Sequence, residues 1–333
     1  MDIRKIQISG GSSYIVSLPK EWIVASNIKK NDPVGIFTQG DGTLLITPNI
    51  SSKPASRVKE FEVSATTDAT FLLRNLISAY IAGFTSIRIW ARARLPPFAM
   101  LLARDFTNMA IGQEVVEETE TAIVIKDLLN PAEMPFESTI RRMSVIVRGM
   151  QEDAVGALES HSRELAESVV SRDTEVDRLH WLVARQNNLL VMDPNLARRM
   201  GITVRHAQHY FMISRIIERI GDHATRIGRN IILLGGNPVE PALISEIAAA
   251  NGTSLDLFRR SMQVFAEGDI PRANETINRL GGLETACNAI STSALAYDPG
   301  TAIPIVHIID SIRRIGEYSS DICENVMNVV TGE

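Results

Sequence analysis

The spacing of apolar and polar residues changes twice along the chain. Up to about residue 48 the apolar residues alternate in short runs. "IRKIQI" (3–8) and "YIVSL" from Tyr14 read as strands around the turn "GGSS", and "PVGIFTQGDGTLLITP" from Pro33 reads as strand, Gly-Asp-Gly turn, strand. Between the two pairs, "KEWIVASN" predicts about two turns of helix ending near Asn27, with Pro19 in its first turn, where a missing N–H costs nothing. "NISSKPASR" from Asn49 is a polar, proline-containing linker. From Phe61 longer elements alternate: strand "FEVSA", a helix from Asp68 to about Ala82, strand "SIRIWA", a helix after "LPP", and a strand pair in "EVVEETETAIVIKDL". From Glu137 to the end the apolar positions recur with the 3.6-residue period of a helix. The breaks fall at "MDPN" (192), "GGNPVEP" (235), "GDIP" (268) and "YDPG" (297).

The helical half repeats itself. "SRDTEVDRL" from Ser171 aligns with "RANETINRL" from Arg272, 101 residues on, and "ERIGDHATRIGRN" from Glu218 aligns with "RRIGEYSSDICEN" from Arg313, 95 residues on. Self-similarity at that period predicts two tandem helical bundles. The expected organisation is a multidomain α+β chain: a ββαββ head (1–50), a small α/β domain (60–132) and two bundles (134–234 and 238–331). The head is too short to bury much core alone, so pairing with a second copy is expected.

With 333 residues, 45% of them hydrophobic, the chain has ample material for two or three cores. No run approaches the length of a membrane span, and "MDIRKIQISGG" lacks the apolar stretch of a signal peptide, so the expected location is the cytoplasm. Cys287 and Cys323 are the two cysteines and read as buried thiols. The net charge is −5, but residues 1–60 hold eight basic and five acidic side chains, +3, which leaves −8 for the rest. A basic head on an acidic body suits a protein whose head alone meets an anionic partner.

Two carboxylate pairs stand out. Glu218 and Asp222 lie four apart in a helical stretch with an apolar stripe, and Asp173 and Asp177 repeat the spacing on the preceding helix. Residues at i and i+4 share a helix face, so the four acids can converge, and an all-oxygen site suits a hard or borderline cation. The alternative is that Glu218 and Asp222 pair with Arg215 and Arg226 on a solvated face. In the second bundle the matching positions are Asn274, Asn278 and Arg313. Glu317 and Asp321 keep the spacing as a weaker pair beside an arginine, where a salt bridge can replace a metal. His180 and His223 are near in sequence, but His223 is rotated about 100° from Asp222. His206 and His209 share a face well round from Glu218 and read as surface or packing residues. No nucleophile or histidine can be placed around the acids, which argues against a metallohydrolase and for a non-enzymatic protein.

"ERIGDHATRIGRN" with the upstream "RDTEVDRL" closely resembles the PhoU family of phosphate-uptake regulators over about 134–330. The resemblance implies three-helix repeats holding a metal (iron, Mn, Mg or Zn) on Asp173, Asp177, Glu218 and Asp222, with the first repeat occupied rather than both. "SSYIVSLPKEW" and its surroundings look like an AbrB/SpoVT-type swapped-hairpin domain, which implies a homodimer that binds DNA through Arg4, Lys5 and Lys20, and also Lys29 and Lys30. The combination resembles archaeal PhoU-like regulators. It implies a transcriptional regulator of phosphate uptake or, alternatively, a protein that restrains a phosphate transporter by direct contact, the head serving only to dimerise; the partners it implies are DNA, a second copy of the chain, and a phosphate transporter's ATPase subunit or a signalling protein.

Overall fold

A computed structural model describes residues 2–38, 42–48 and 57–332 and divides the chain into two compact units, 1–55 and 56–333. The linker expected at 49–57 falls outside the described residues up to position 56, as does part of the Gly-Asp-Gly turn.

In the first unit β1 (Gln7–Ser9) pairs antiparallel with β2 (Ser13–Ile15), and β3 (Gly35–Thr38) with β4 (Leu44–Thr47). The strands of the first hairpin are shorter than the alternating pattern suggests. Gly10 and Gly11 turn the chain with φ of 63° and 84°, a region where a side chain would be strained. Between the hairpins lies α1 (Lys20–Ala25), with Pro19 at its N-cap. None of this unit's described residues is buried, and Ile3, Ile6, Ile8, Tyr14 and Val24 are each at least 65% exposed. Two separate hairpins and a six-residue helix have no interior of their own.

The second unit starts with a four-stranded sheet of order β5-β6-β8-β7, formed by β5 (Val58–Glu62), β6 (Ser86–Trp90), β7 (Gln113–Glu118) and β8 (Ala122–Asp127). β5 and β6 are parallel, joined through α2 (Ala69–Ile81), while β8 runs antiparallel to β6 and β7. Ile87, Ile89, Ile123 and Ile125 are buried in one core with Leu76 of α2 and Phe106 of α3 (Pro97–Met109). β5 begins three residues before "FEVSA" and stops at Glu62. Ser64 and Thr67 are committed to a turn, the Ser64 amide donating to Thr67 Oγ1 at 2.9 Å, and Asp68 then caps α2 by accepting from the Phe71 amide.

Then come the helices: α4 (Phe136–Ser160), α5 (Arg163–Met192), the short α6 (Pro194–Met200) and α7 (Val204–Leu234), followed by α8 (Pro241–Glu267), α9 (Ile270–Asn278), α10 (Leu280–Ala294) and α11 (Pro299–Thr331). Left-handed His161, Gly235 and Gly268 end α4, α7 and α8. The counterpart of α5 in the second repeat is divided into α9 and α10 at Arg279, just before Gly281 and Gly282. The repeat equivalence is visible in packing. Gly221 of α7 has Val147 and Val176 where a Cβ would project, and Gly316 of α11, 95 residues on, has Leu257, Leu280 and Leu283. In each bundle a glycine lets the third helix close on the other two. One apolar core runs through both bundles, and α7 and α11 pack antiparallel, with His209 against Asn325 and Asn230 against His307. Among the described residues no helix is long and apolar enough to cross a membrane.

Candidate functional site

The 3.6-residue period sets the carboxylates on facing helices. Val176 and Leu179 of α5, and Ile217, Ile220 and Ala224 of α7, are buried in the common core, so Asp173, Asp177, Glu218 and Asp222 lie at the edge of that seam rather than on the far side. Asp173, Asp177 and Glu218 are partly buried and Asp222 is exposed. The acids feel one another. Burial and then the charges of Asp173 and Asp222 push the Asp177 carboxyl up to about 6. Burial and then Asp222 and Asp177 push Glu218 up to about 7. Asp222, the most open of the four, is still raised by partial loss of solvent and then by Asp173, with Arg229 and Arg219 opposing. Burial and the neighbouring acids both disfavour the charged form, as expected of carboxylates gathered without a cation.

The arginines do not close on this group. Arg226 turns to Asp310 of α11 at 3.7 Å, and neither Glu218 nor Asp222 forms an ion pair among the described residues. The alternative in which Arg215 and Arg226 neutralise the pair is therefore not the arrangement seen. Of the four acids, Asp173 alone forms an ion pair among the described residues, with Arg229 at 4.0 Å, while Arg219 and Arg215 act on Glu218, and Arg229 and Arg219 on Asp222, only from farther off. The oxygen-only donor set fits a hard cation, but the side chains are not drawn into a coordination sphere: among the described residues no group of three or more His, Cys, Asp or Glu is arranged to hold a metal ion.

The nearby histidines look elsewhere. His180 Nδ1 lies 3.0 Å from Ser214 Oγ, and burial depresses its pKa to about 4. His223 packs on Tyr318 of α11. His206 Nδ1 meets Thr203 Oγ1 at the start of α7, and His209 Nδ1 meets Asn325 Oδ1 at 2.6 Å.

The second bundle is built differently. Arg313, which replaces Glu218, bonds to Glu317 and, at 2.7 Å, to Asp310, and Arg314 reaches Glu317 at 2.8 Å. Glu317 thus sits between two guanidinium groups. Asp321 stays largely open to solvent, its carboxyl raised by partial desolvation and then by Glu324 and Glu317. Asn274 and Asn278 are exposed on α9. Cys287 and Cys323 are free thiols in the interior.

In the head, Arg4, Lys5, Lys20, Lys29 and Lys30 are all exposed. Arg4 pairs with Asp2 at 3.1 Å, a solvent-screened contact that a phosphate can displace.

One arrangement gave no sequence signal. Arg185 of α5, 3% exposed, bonds to Asp127 of β8 and to the Tyr80 carbonyl, and its guanidinium lies 4.9 Å from the Tyr80 ring. Asn188 donates to the Ile81 carbonyl at 2.8 Å, and Gln186 to the carbonyls of Pro131 and Met134. The half of α5 beyond the carboxylates is thereby fixed to the α/β layer. Only the burial of a charged residue in mid-helix could have signalled it, and burial is not written in one sequence.

Residues 140–231 match the PhoU domain family, and residues 7–54 match the family described as antidote-toxin recognition MazE, bacterial antitoxin. A phosphate-specific transport system accessory protein PhoU homolog of Caulobacter vibrioides is 26% identical over 200 residues, 58% of this chain and 86% of that protein. Homolog 1 of Thermotoga maritima is 21% identical over 215 residues, 60% of this chain and 87% of that protein. Among solved structures, PhoU from Pseudomonas aeruginosa aligns with a TM-score of 0.53 at 20% identity, covering 60% of this chain and 96% of its own. The phosphate transport system regulatory protein PhoU from Streptococcus pneumoniae aligns at 0.51 with 18% identity, covering 60% and 94%. The helical fold is that of these PhoU structures. The chain carries a PhoU domain and, at its N-terminus, a domain of the MazE/AbrB type.

Proposed function

We propose that this chain, a PhoU-type helical body behind a MazE/AbrB-type head, is a cytoplasmic DNA-binding regulator of phosphate uptake. The observation that carries the reading is the head: none of its described residues is buried and apolar side chains such as Ile3, Ile6, Ile8, Tyr14 and Val24 are exposed, yet it displays Arg4, Lys5, Lys20, Lys29 and Lys30. A second copy covers the apolar faces in a homodimer, and the paired basic surfaces meet DNA phosphates. Asp173, Asp177, Glu218 and Asp222 take a metal ion in the first bundle. Their raised pKa values support this, because a cation relieves the repulsion that the protein leaves unpaired.

The relatives, accessory proteins of a phosphate-specific transport system, support a second reading, in which the helical body restrains a phosphate transporter by direct contact, with its ATPase subunit or a signalling protein as the partner. One purified sample tests both ideas: elemental analysis for bound metal, and fluorescence polarisation on DNA from its own promoter. Absence of DNA binding in metal-loaded protein contradicts the regulator reading and leaves the transporter-contact reading standing.

A further inference from the structure

His206, His209 and Tyr210 open α7 and take no part in the carboxylate group. They line a cavity of about 290 Å³ where α4 and α7 of the first repeat meet the last turns of α8 from the second. Two kinds of wall face it. One is aromatic: the Phe265 ring of α8 lies 5.3 Å from His209 and 5.6 Å from Tyr210, edge to face with the latter, and Phe136 stacks behind Tyr210 at 5.4 Å. His209 is fixed from behind by Asn325 of α11. The other wall is charged, with Glu137 and Arg141 one turn apart on α4. An acid four residues before an arginine is the favourable order for an ion pair within a helix. Neither forms one among the described residues, so a carboxylate and a guanidinium stand uncommitted beside the rings.

We propose that this cavity binds a small ligand with a flat heteroaromatic body and an anionic group, in size and chemistry a nucleoside monophosphate. The base lies against Tyr210 and Phe265, whose ring surfaces stack on any base. The phosphate takes the Arg141 fork. Glu137 accepts a hydrogen bond from an N–H of the base or a hydroxyl of the ribose. The competing ligand classes fit less of the wall. A purely apolar ligand would leave Glu137 and Arg141 facing it unanswered, and a bare inorganic anion would make no use of the rings. The volume is at the small end of ligand pockets, which run from about 300 to 1,000 Å³, and excludes a dinucleotide. The bound ligand touches both repeats.

The test is isothermal titration of the full chain with AMP and with GMP, and with adenosine, guanosine and inorganic phosphate as their half-ligands. Saturable 1:1 binding of at least one mononucleotide is expected, with each of its half-ligands at least about tenfold weaker. Arg141 is exposed on α4, so Arg141→Ala keeps the fold, which a melting curve verifies, and should weaken the mononucleotide at least about tenfold. No binding of either nucleotide at about 5 mM overturns the proposal. So does binding that Arg141→Ala leaves unchanged, and so does inorganic phosphate binding as tightly as the nucleotide.

Discussion

Arg313 bonds to Glu317 one turn along α11, at the two positions where α7 carries Glu218 and Asp222, neither of which forms an ion pair among the described residues. The second bundle holds its own cation where the first leaves its acids facing one another. Asp222→Asn should therefore lower bound metal toward zero, whereas Glu317→Gln should leave metal content unchanged. Elemental analysis after mild chelation and reloading reads the result, and equal metal in wild type and both variants contradicts the carboxylate site.

The metal-free protein should lose stability as pH rises. In the unfolded chain Glu218 and Asp177 ionise near 4.5 and 3.8, but in the fold they hold their protons to about 7 and about 6. Between those limits the unfolded state has shed protons that the native state keeps, so stability falls as pH rises through the window and stays low above it. His180 works the other way: depressed to about 4, it costs stability as pH drops below its unfolded value of 6.5. A comparison with Glu218→Gln isolates the acid. The variant should gain in urea midpoint relative to wild type between pH 5 and pH 8, and a constant difference across that range would show that Glu218 does not titrate as described.

The Arg185–Asp127 pair is 3% and 7% exposed. Asp127→Asn should cost about 3–5 kcal/mol, because it strands a buried guanidinium, while replacing both residues by leucine should recover much of the loss. Urea unfolding measures each, and a loss below about 1 kcal/mol for the single change would mean that water reaches the pair.

The two repeat glycines should respond unequally. A Cβ on Gly221 would stand 3.3 Å from Val147, a small adjustment, whereas one on Gly316 would run into Leu283. Gly316→Ala should cost about 1–3 kcal/mol and Gly221→Ala clearly less. Equal losses in thermal unfolding would contradict the packing described.

Much of this architecture is written locally. Helix period, Gly and Pro breaks and the 95-residue recurrence of Ile-Gly placed the bundles, and i, i+4 spacing put the acids on one seam, because these signals act within a few turns. What depends on distant partners was not legible. Arg226 is one turn from Asp222 in sequence, yet its partner is Asp310, 84 residues away on α11. Asp127 and Arg185 meet across layers. The cavity beside Tyr210 needs Phe265 of the other repeat. β5 stops at Glu62, short of the end of "FEVSA", because Ser64, β-compatible by type, gives its amide to the Thr67 hydroxyl in a turn.

The regulator reading stands most directly on a fluorescence polarisation titration of the full chain against its own promoter DNA at several salt concentrations, with Arg4→Ala and Lys20→Ala in parallel. Saturable binding that weakens steeply above about 0.2 M salt is predicted, and each variant should bind more weakly and reduce the slope of log K against log salt by about 1. Wild-type affinity and slope in both variants, or no binding by the full chain at low salt, would contradict it.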